Sequence, residues 1–318
     1  MSDLNVSFAG LSLRYPILVE ARSTSISSAL VQRISDAPAG AIVMPPFVPA
    51  PPSSVAGAGE YGSSNRGEAA DRDTDSIVRH LDADSYLDTL GGVCSISSIP
   101  VIGSLAAYRR RQAVSFAQMM MDAGAAAVEI RPFDHPSIRT SRADHIEKNV
   151  LRVAAAVADR VDIPIILRAP VTAYGFAAFV DALGGSGITG VVLSPFDDLG
   201  TINTDRVSFE PDETAPEIAV SGFQMMLAAT RRLYRRVTPH LAVPIPAGRG
   251  RASVEAILSG ATVVTLPVNP EDAQKSFSTI STHIRNLQGW MGSRRHDSLF
   301  DFRGRLSESR RTSSLEQS

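Results

Sequence analysis

The sequence predicts a (β/α)8 barrel, the TIM-barrel class, with an N-terminal β-hairpin and a short disordered C-terminal tail. Three observations lead there. Eight short runs rich in Val, Ile, Leu and Ala recur along the chain, each bounded by turn residues. The runs are uninterrupted apolar rather than alternating, the pattern of strands covered on both faces by helices. Segments with helical spacing lie between them, which completes the βα repeat. Eight such units favour closure, because a closed barrel has no sheet edges to protect, and an open doubly wound sheet is the competing architecture.

The elements follow in order. NVSF and LSL flank Ala9-Gly10 and read as a two-strand hairpin capping the bottom of the barrel. The eight strands are then ILVE (17–20), AIVM (41–44), PVIGSL (100–105), AAVEI (126–130), PIILR (164–168), GVVLS (190–194), AVPIP (242–246) and TVVTL (262–266). The best-marked helices run near 25–36, 109–123, 141–160, 173–184, 221–237, 251–259 and 271–289. Two stretches depart from the cycle: the Pro/Ala/Gly/Ser-rich residues 45–75, and residues 195–220. Both follow strand ends, so in a barrel they sit over the mouth, either as lids or as plain surface insertions. One barrel domain is expected over residues 1–306. Residues 307–318 have no apolar periodicity and read as a flexible tail.

Composition removes several function classes. The chain has 318 residues, 44% hydrophobic and 20% charged, with a formal net charge of −2. That balance makes no electrostatic case for nucleic acid or an anionic membrane as partner, so any binding charge is local. No apolar run reaches the ~18–20 residues of a membrane span, and the start lacks the order of a signal peptide. With one cysteine, Cys94, there is no disulfide framework and no Cys-clustered metal site, and a reducing cytoplasm is the expected location. Cys94 reads as a buried small apolar residue. Lysine occurs only at Lys148 and Lys275, inside helical segments, so Schiff-base chemistry has no nucleophile at a strand end. The histidines form neither an H-x-H pair on a strand nor an H-E-x-x-H helix, and no metal site is expected. No G-x-S-x-G elbow exists.

In a barrel, chemistry belongs to the C-terminal ends of the strands. There the chain carries Glu20 and Arg22, Met44 to Pro46, Ser104 and Leu105, Glu129 and Arg131, Arg168, Ser194, Gly248 to Arg251, and Pro267 to Asn269. Arginine dominates. In Ala247-Gly248-Arg249-Gly250-Arg251, glycines let backbone N–H groups approach a ligand, and the helix that follows offers partial positive charge. Arg249 and Arg251 would add bidentate donors to phosphate oxygens, and the alternative is an ordinary turn with solvated arginines. Arg131 and Arg168 demand anionic partners when buried. Those partners are either a ligand or Glu20 and Glu129 within the mouth, and both readings stand at this level.

The ending, Gly289-Trp290-Met291 and then His296 to Gly304 (HDSLFDFRG), resembles that of dihydroorotate dehydrogenase-like proteins, a bacterial branch of the FMN-dependent dihydroorotate dehydrogenase superfamily. The opening LNVSFAGLSLRYPILVEA resembles the same family's start, and IPVIGSL, AGAAAVEI, IPIILR and SGATVV resemble its third, fourth, fifth and eighth strands. The resemblance spans roughly residues 4–304. It implies a barrel holding FMN at its top, with the flavin ring over the mouth and the phosphate on glycine turns after strands seven and eight. By position, the implied cofactor contacts are Glu20, Ala21, Arg131, Arg168, Ser194, Gly248 and Gly250.

The chain departs from that family at Arg131, where Asn is usual, and at Arg168, where Lys is usual. Met44-Pro45-Pro46 replaces an expected lysine, and Leu266-Pro267 replaces a glycine turn although proline cannot donate a backbone hydrogen bond. The family's Cys or Ser base after strand four has no direct match. Asp134, His135 or Ser137 could reach the mouth, with His best suited to proton transfer near neutrality, but Asp-His-Pro is also a good exposed turn former.

Three functions are therefore in play. One is an FMN-dependent oxidoreductase acting on a small anionic substrate. The second is a degenerate barrel serving as a binding or scaffold subunit, and the third a barrel that binds a phosphorylated metabolite. No nucleic acid or membrane partner is expected, and homo-oligomerisation is open.

Overall fold

A computed structural model of the protein describes residues 2–23, 26–49, 82–107, 109–132, 143–171, 176–194, 200–203, 208–211 and 220–307. A hairpin comes first, β1 (Val6–Phe8) against β2 (Leu11–Leu13), in the register Val6↔Leu13 and Phe8↔Leu11. Its two-residue turn puts Ala9 at φ 51° and Gly10 at φ 90°, the left-handed pair whose twist suits a tight hairpin.

The repeating units follow: β3 (Ile17–Ala21), α1 (Ser28–Asp36), β4 (Ala41–Phe47), α2 (Ala83–Ile96), β5 (Val101–Leu105), α3 (Arg110–Asp122), β6 (Ala127–Ile130), α4 (Ala143–Ala158), β7 (Ile165–Pro170), α5 (Phe176–Gly185) and β8 (Gly190–Ser194). Then come a small antiparallel pair, β9 (Gly200–Asn203) and β10 (Ser208–Pro211), and α6 (Val220–Leu233), β11 (His240–Pro244), α7 (Ala252–Ser259), β12 (Val263–Val268) and α8 (Ala273–Arg294). The eight strands β3 to β8, β11 and β12 pair in parallel and close into a barrel, β12 returning to β3. Closure satisfies every strand edge. β5, β6 and β8 are buried along their whole length, as apolar runs wrapped by helices must be.

The hairpin plugs the N-terminal end of this barrel. Ala9 donates its amide to Nδ1 of His240 at 2.9 Å, and Thr189 Oγ1 donates to the Ala9 carbonyl at 3.3 Å, both at strand starts. The approach is close enough to require Gly190. A Cβ there would stand 3.0 Å from both Ala9 Cβ and the Phe8 ring.

Five sequence expectations need correction. α2 has no counterpart among the helices read from the sequence, because Gly91-Gly92 weakens its local propensity; tertiary burial of Tyr86, Leu90 and Val93 supplies what propensity does not. β4 runs on through Pro45-Pro46 to Phe47, so the first three residues of the departure placed at 45–75 belong to the strand. The stretch 195–220 carries the β9–β10 pair. The seventh strand spans His240–Pro244, earlier than 242–246, since Pro246 cannot extend a ladder. Cys94 lies half-buried on α2 rather than in the core, and burial pushes its thiol up to about 11. No helix among the described residues is long and apolar enough to cross a membrane.

Candidate functional site

The barrel gathers charged side chains at the C-terminal ends of its strands. Arg168, on the fifth barrel strand β7, reaches Glu20 on the first, β3, which stands opposite in an eight-strand ring: Nη2 to Oε1 is 2.5 Å. Its Nε lies 3.2 Å from Oε1 of Glu129 on the adjacent fourth strand, β6, and its Nη2 donates to Glu129 Oε2 at 3.3 Å. Ser104 on β5 adds a hydroxyl donor to Glu129 at 3.3 Å. The network thus spans the lumen. Its side chains are 7%, 15% and 1% exposed at Arg168, Glu20 and Glu129, so each charge survives burial only through its partners.

Electrostatics follow the geometry. Burial pushes the Glu20 carboxyl upward, but Arg168, then Arg22 and Arg131, outweigh it and hold the group at about 2. Burial pushes the Arg168 guanidinium down, and Glu129 and Glu20 more than restore it, raising it above its ordinary range. Arg22 follows β3 and is anchored by its amide to the Val268 carbonyl at 3.2 Å. Its side chain meets solvent within the mouth, yet the surrounding protein desolvates it enough to lower its pKa; Glu20 opposes this, and Arg168 and Arg131 add repulsion. Arg131 Nε sits 4.0 Å from Glu129 Oε1. Among the described residues, three guanidiniums therefore face two carboxylates, a local excess of positive charge.

The sequence left two partners open for the strand-end arginines. Arg168 is taken by Glu20 and Glu129, so its guanidinium is committed inside the protein. Ala21, buried, ends β3 beside the Pro267–Val268 end of β12. Ser194 closes β8 with its backbone carbonyl accepting from Val171 N at 2.9 Å, while its buried hydroxyl has no partner among the described residues. Asp134, His135 and Ser137 lie outside the described residues.

On the same rim, Gly248 to Arg251 form the turn between β11 and α7. Arg249 N donates to Pro246 O at 3.2 Å and Ala252 N to Arg249 O at 2.8 Å, but the amides of Gly248, Gly250 and Ser253 make no backbone hydrogen bond among the described residues. The Ser253 hydroxyl, one residue into α7 and buried, is likewise unpartnered. Asn286 on α8 holds the turn from behind, donating to Gly250 O at 2.8 Å. Arg249, read from sequence as a phosphate fork, instead gives its Nε and Nη2 to the two oxygens of Glu255 at 2.9 Å each, because one turn of helix brings that carboxylate under it. Arg251 is exposed and makes no side-chain cap to α7.

Several residues of this rim were not singled out from the sequence. Ser253 follows the glycine turn directly, which is a local signal. Glu255 and Asn286 give none. Tyr86 is similar: its hydroxyl, carried in by α2, lies 3.0 Å from Pro45 O and 3.1 Å from Ser104 O and accepts from Ser104 N at 3.2 Å. It closes the gap left where Pro45-Pro46 remove two donors and the β4–β5 register shifts. His283 is fully buried on α8, its pKa lowered by burial; the Ala247 carbonyl offers it only a contact outside hydrogen-bond geometry.

The C-terminal motif lies at the opposite end of the molecule. Trp290, His296 and Phe302 pack ring to ring at 4.8–5.5 Å. Ser298 and Asp301 form a capping box, and Asp3 N donates to Asp297 O at 2.7 Å, tying the two ends of the chain together. Gly304 N and Leu306 N donate to the Ile257 and Leu258 carbonyls at 2.9 Å each, capping α7. The residues that resemble the dihydroorotate dehydrogenase-like ending therefore close the barrel's bottom, away from the mouth.

Compared with known proteins, the chain matches no family model and no curated protein.

Proposed function

We propose that the chain is an FMN-dependent oxidoreductase of the dihydroorotate dehydrogenase-like kind, acting on a small anionic substrate at the barrel mouth. The barrel alone carries little weight, since that fold hosts many chemistries. What supports the reading is the donor set: described mouth side chains with an excess of positive charge, beside a glycine turn whose Gly248, Gly250 and Ser253 amides make no backbone hydrogen bond and whose Ser253 hydroxyl has no partner among the described residues. The Ser253 hydroxyl is buried, and a buried polar group without a partner is costly; a phosphate at the start of α7 would satisfy it and take the more exposed Gly248 and Gly250 amides from water. The Ser194 hydroxyl is a second unspent group on the same rim, suited to a polar ring edge. The residues present thus fit a phosphate-bearing ligand.

When bound, FMN supplies hydride acceptance. The chain's part is to hold it and to place the substrate. Arg22 and Arg131 face the mouth beside the closed Arg168 network and would orient a substrate carboxylate. Glu20 fixes Arg168 rather than taking a proton, since its carboxyl, held at about 2, is a poor base at neutral pH, and Glu129 is spent on hydrogen bonds from Arg168 and Ser104. Proton acceptance falls to the segment after the fourth strand, where His135 or Asp134 is the assigned group.

A second reading is favoured by one observation: Arg168 and Arg249 are both committed to internal carboxylates. A barrel whose cations pair internally can bind without catalysing, as a scaffold or as a receptor for a phosphorylated metabolite. The absorption spectrum of the purified protein separates the two. A yellow protein with flavin bands, or one that takes up added FMN stoichiometrically, supports the oxidoreductase; a colourless protein that takes up none defeats it.

A further inference from the structure

The barrel has a second concentration of positive charge, at the end away from the mouth. A cavity of about 200 Å³ opens there between the end of α6, the start of β11 and the C-terminal segment, and Tyr234, Arg235, Thr238, His240, Thr262 and Arg303 line it. Among the described residues it has two guanidiniums, an imidazole and three hydroxyls, and no carboxylate in its wall. Arg303 stacks over the Phe300 and Tyr234 rings at 5.0 and 6.0 Å and makes no ion pair, and its buried Nε has no hydrogen-bond partner among the described residues. His240 spends Nδ1 on the Ala9 amide, so Nε2 is the ring nitrogen left to donate. Arg235 occupies a left-handed backbone position at φ 62°, where glycine would be cheaper.

The surroundings reinforce the charge. Arg231 and Arg232 stand on the last turn of α6 and Arg236 in the turn just beyond it, and none pairs with a carboxylate among the described residues. Helix C-termini of α6 and α7 also meet here and would repel an anion, each by about half a charge. For α7 that effect is blunted, because its last carbonyls already accept from Gly260, Ala261, Gly304 and Leu306. Size narrows the ligand. The volume lies below the ~300–1,000 Å³ of sites for drug-sized molecules, so a nucleotide does not fit and a single small oxyanion does.

We propose that this cavity binds a phosphate-class oxyanion, either the free ion or the phosphate of a small monoester, independently of whatever occupies the mouth. The test is isothermal titration calorimetry with inorganic phosphate, and in parallel with glycerol 3-phosphate, at ionic strength held constant with chloride. The wild-type protein gives a saturable site at this cavity, distinct from any at the glycine turn of the mouth; tighter binding of the ester there identifies a metabolite, and tighter binding of phosphate the free ion. Arg303→Met weakens binding tenfold or more, as expected for loss of a charge-assisted hydrogen bond. Arg235→Gly, which gives that backbone position its least strained occupant and so preserves the fold, weakens it as well. Arg249→Met, on the opposite rim, leaves it unchanged. Absence of saturable binding overturns the proposal, and so does binding lost in Arg249→Met but retained in Arg303→Met. FMN uptake by the Arg303→Met protein reports on the mouth separately.

Discussion

Arg168 is the residue on which most of the mouth depends. Its guanidinium neutralises one carboxylate from across the lumen and one from the neighbouring strand, and all three side chains are largely withdrawn from water. Arg168→Met leaves Glu20 and Glu129 buried without a counter-charge, and unfolding in urea should register a loss of about 3–5 kcal/mol. Adding Glu20→Gln and Glu129→Gln to that variant should recover most of it, because the cost lies in unpaired charge rather than in lost packing. Glu20 carries a pH signature of its own. With its folded pKa at about 2 against ~4.3 in an unfolded chain, it favours the proton-free folded state. Its stabilisation is complete above about pH 4.5 and disappears as pH falls towards 2. Urea midpoints measured from pH 5 to 2 should drop through that window, and less steeply in Glu20→Gln.

At the level of elements, α2 acts on the barrel through one hydroxyl. Pro45-Pro46 would leave the β4–β5 ladder open at the mouth, and Tyr86 closes it with a donor and an acceptor that the strand cannot provide. Its ring packs 5.2 Å from that of Phe47, which in turn meets Phe116 edge-on at 4.8 Å, so the hydroxyl is held in place by apolar packing. Tyr86→Phe keeps that packing and strips the hydrogen bonds. It should cost about 1–3 kcal/mol of unfolding free energy, the penalty for buried backbone groups left unpaired. The C-terminal segment does comparable work at the other end, where Gly304, at φ 71°, lies against the Tyr234 ring with no room for a side chain.

For the whole molecule, ligand binding and stability are linked, and this ranks the readings of the mouth. If the glycine turn is the anchor, FMN should raise the unfolding temperature in proportion to its occupancy, with about 2.7 kcal/mol gained at a hundredfold excess over Kd. Riboflavin, which lacks the phosphate, should raise it far less. Equal shifts from both would place recognition in the ring and detach the turn from it. Differential scanning fluorimetry with each ligand at matched concentration distinguishes these outcomes.

The count and order of barrel strands, the capping hairpin and the glycine turn were all legible in the amino-acid sequence, because each is written in a stretch of few residues. An apolar run between turn formers, or Ala9-Gly10 between two short strands, carries its meaning locally. α2 was not legible, since Gly91-Gly92 argues against a helix and only burial of Tyr86, Leu90 and Val93 against the barrel outweighs them. Nor was the state of the arginines. Glu20 and Arg168 are 148 residues apart and meet only because ring closure sets the first and fifth strands face to face. Which charges remain available to a ligand is a property of that closure, and so of the tertiary structure alone.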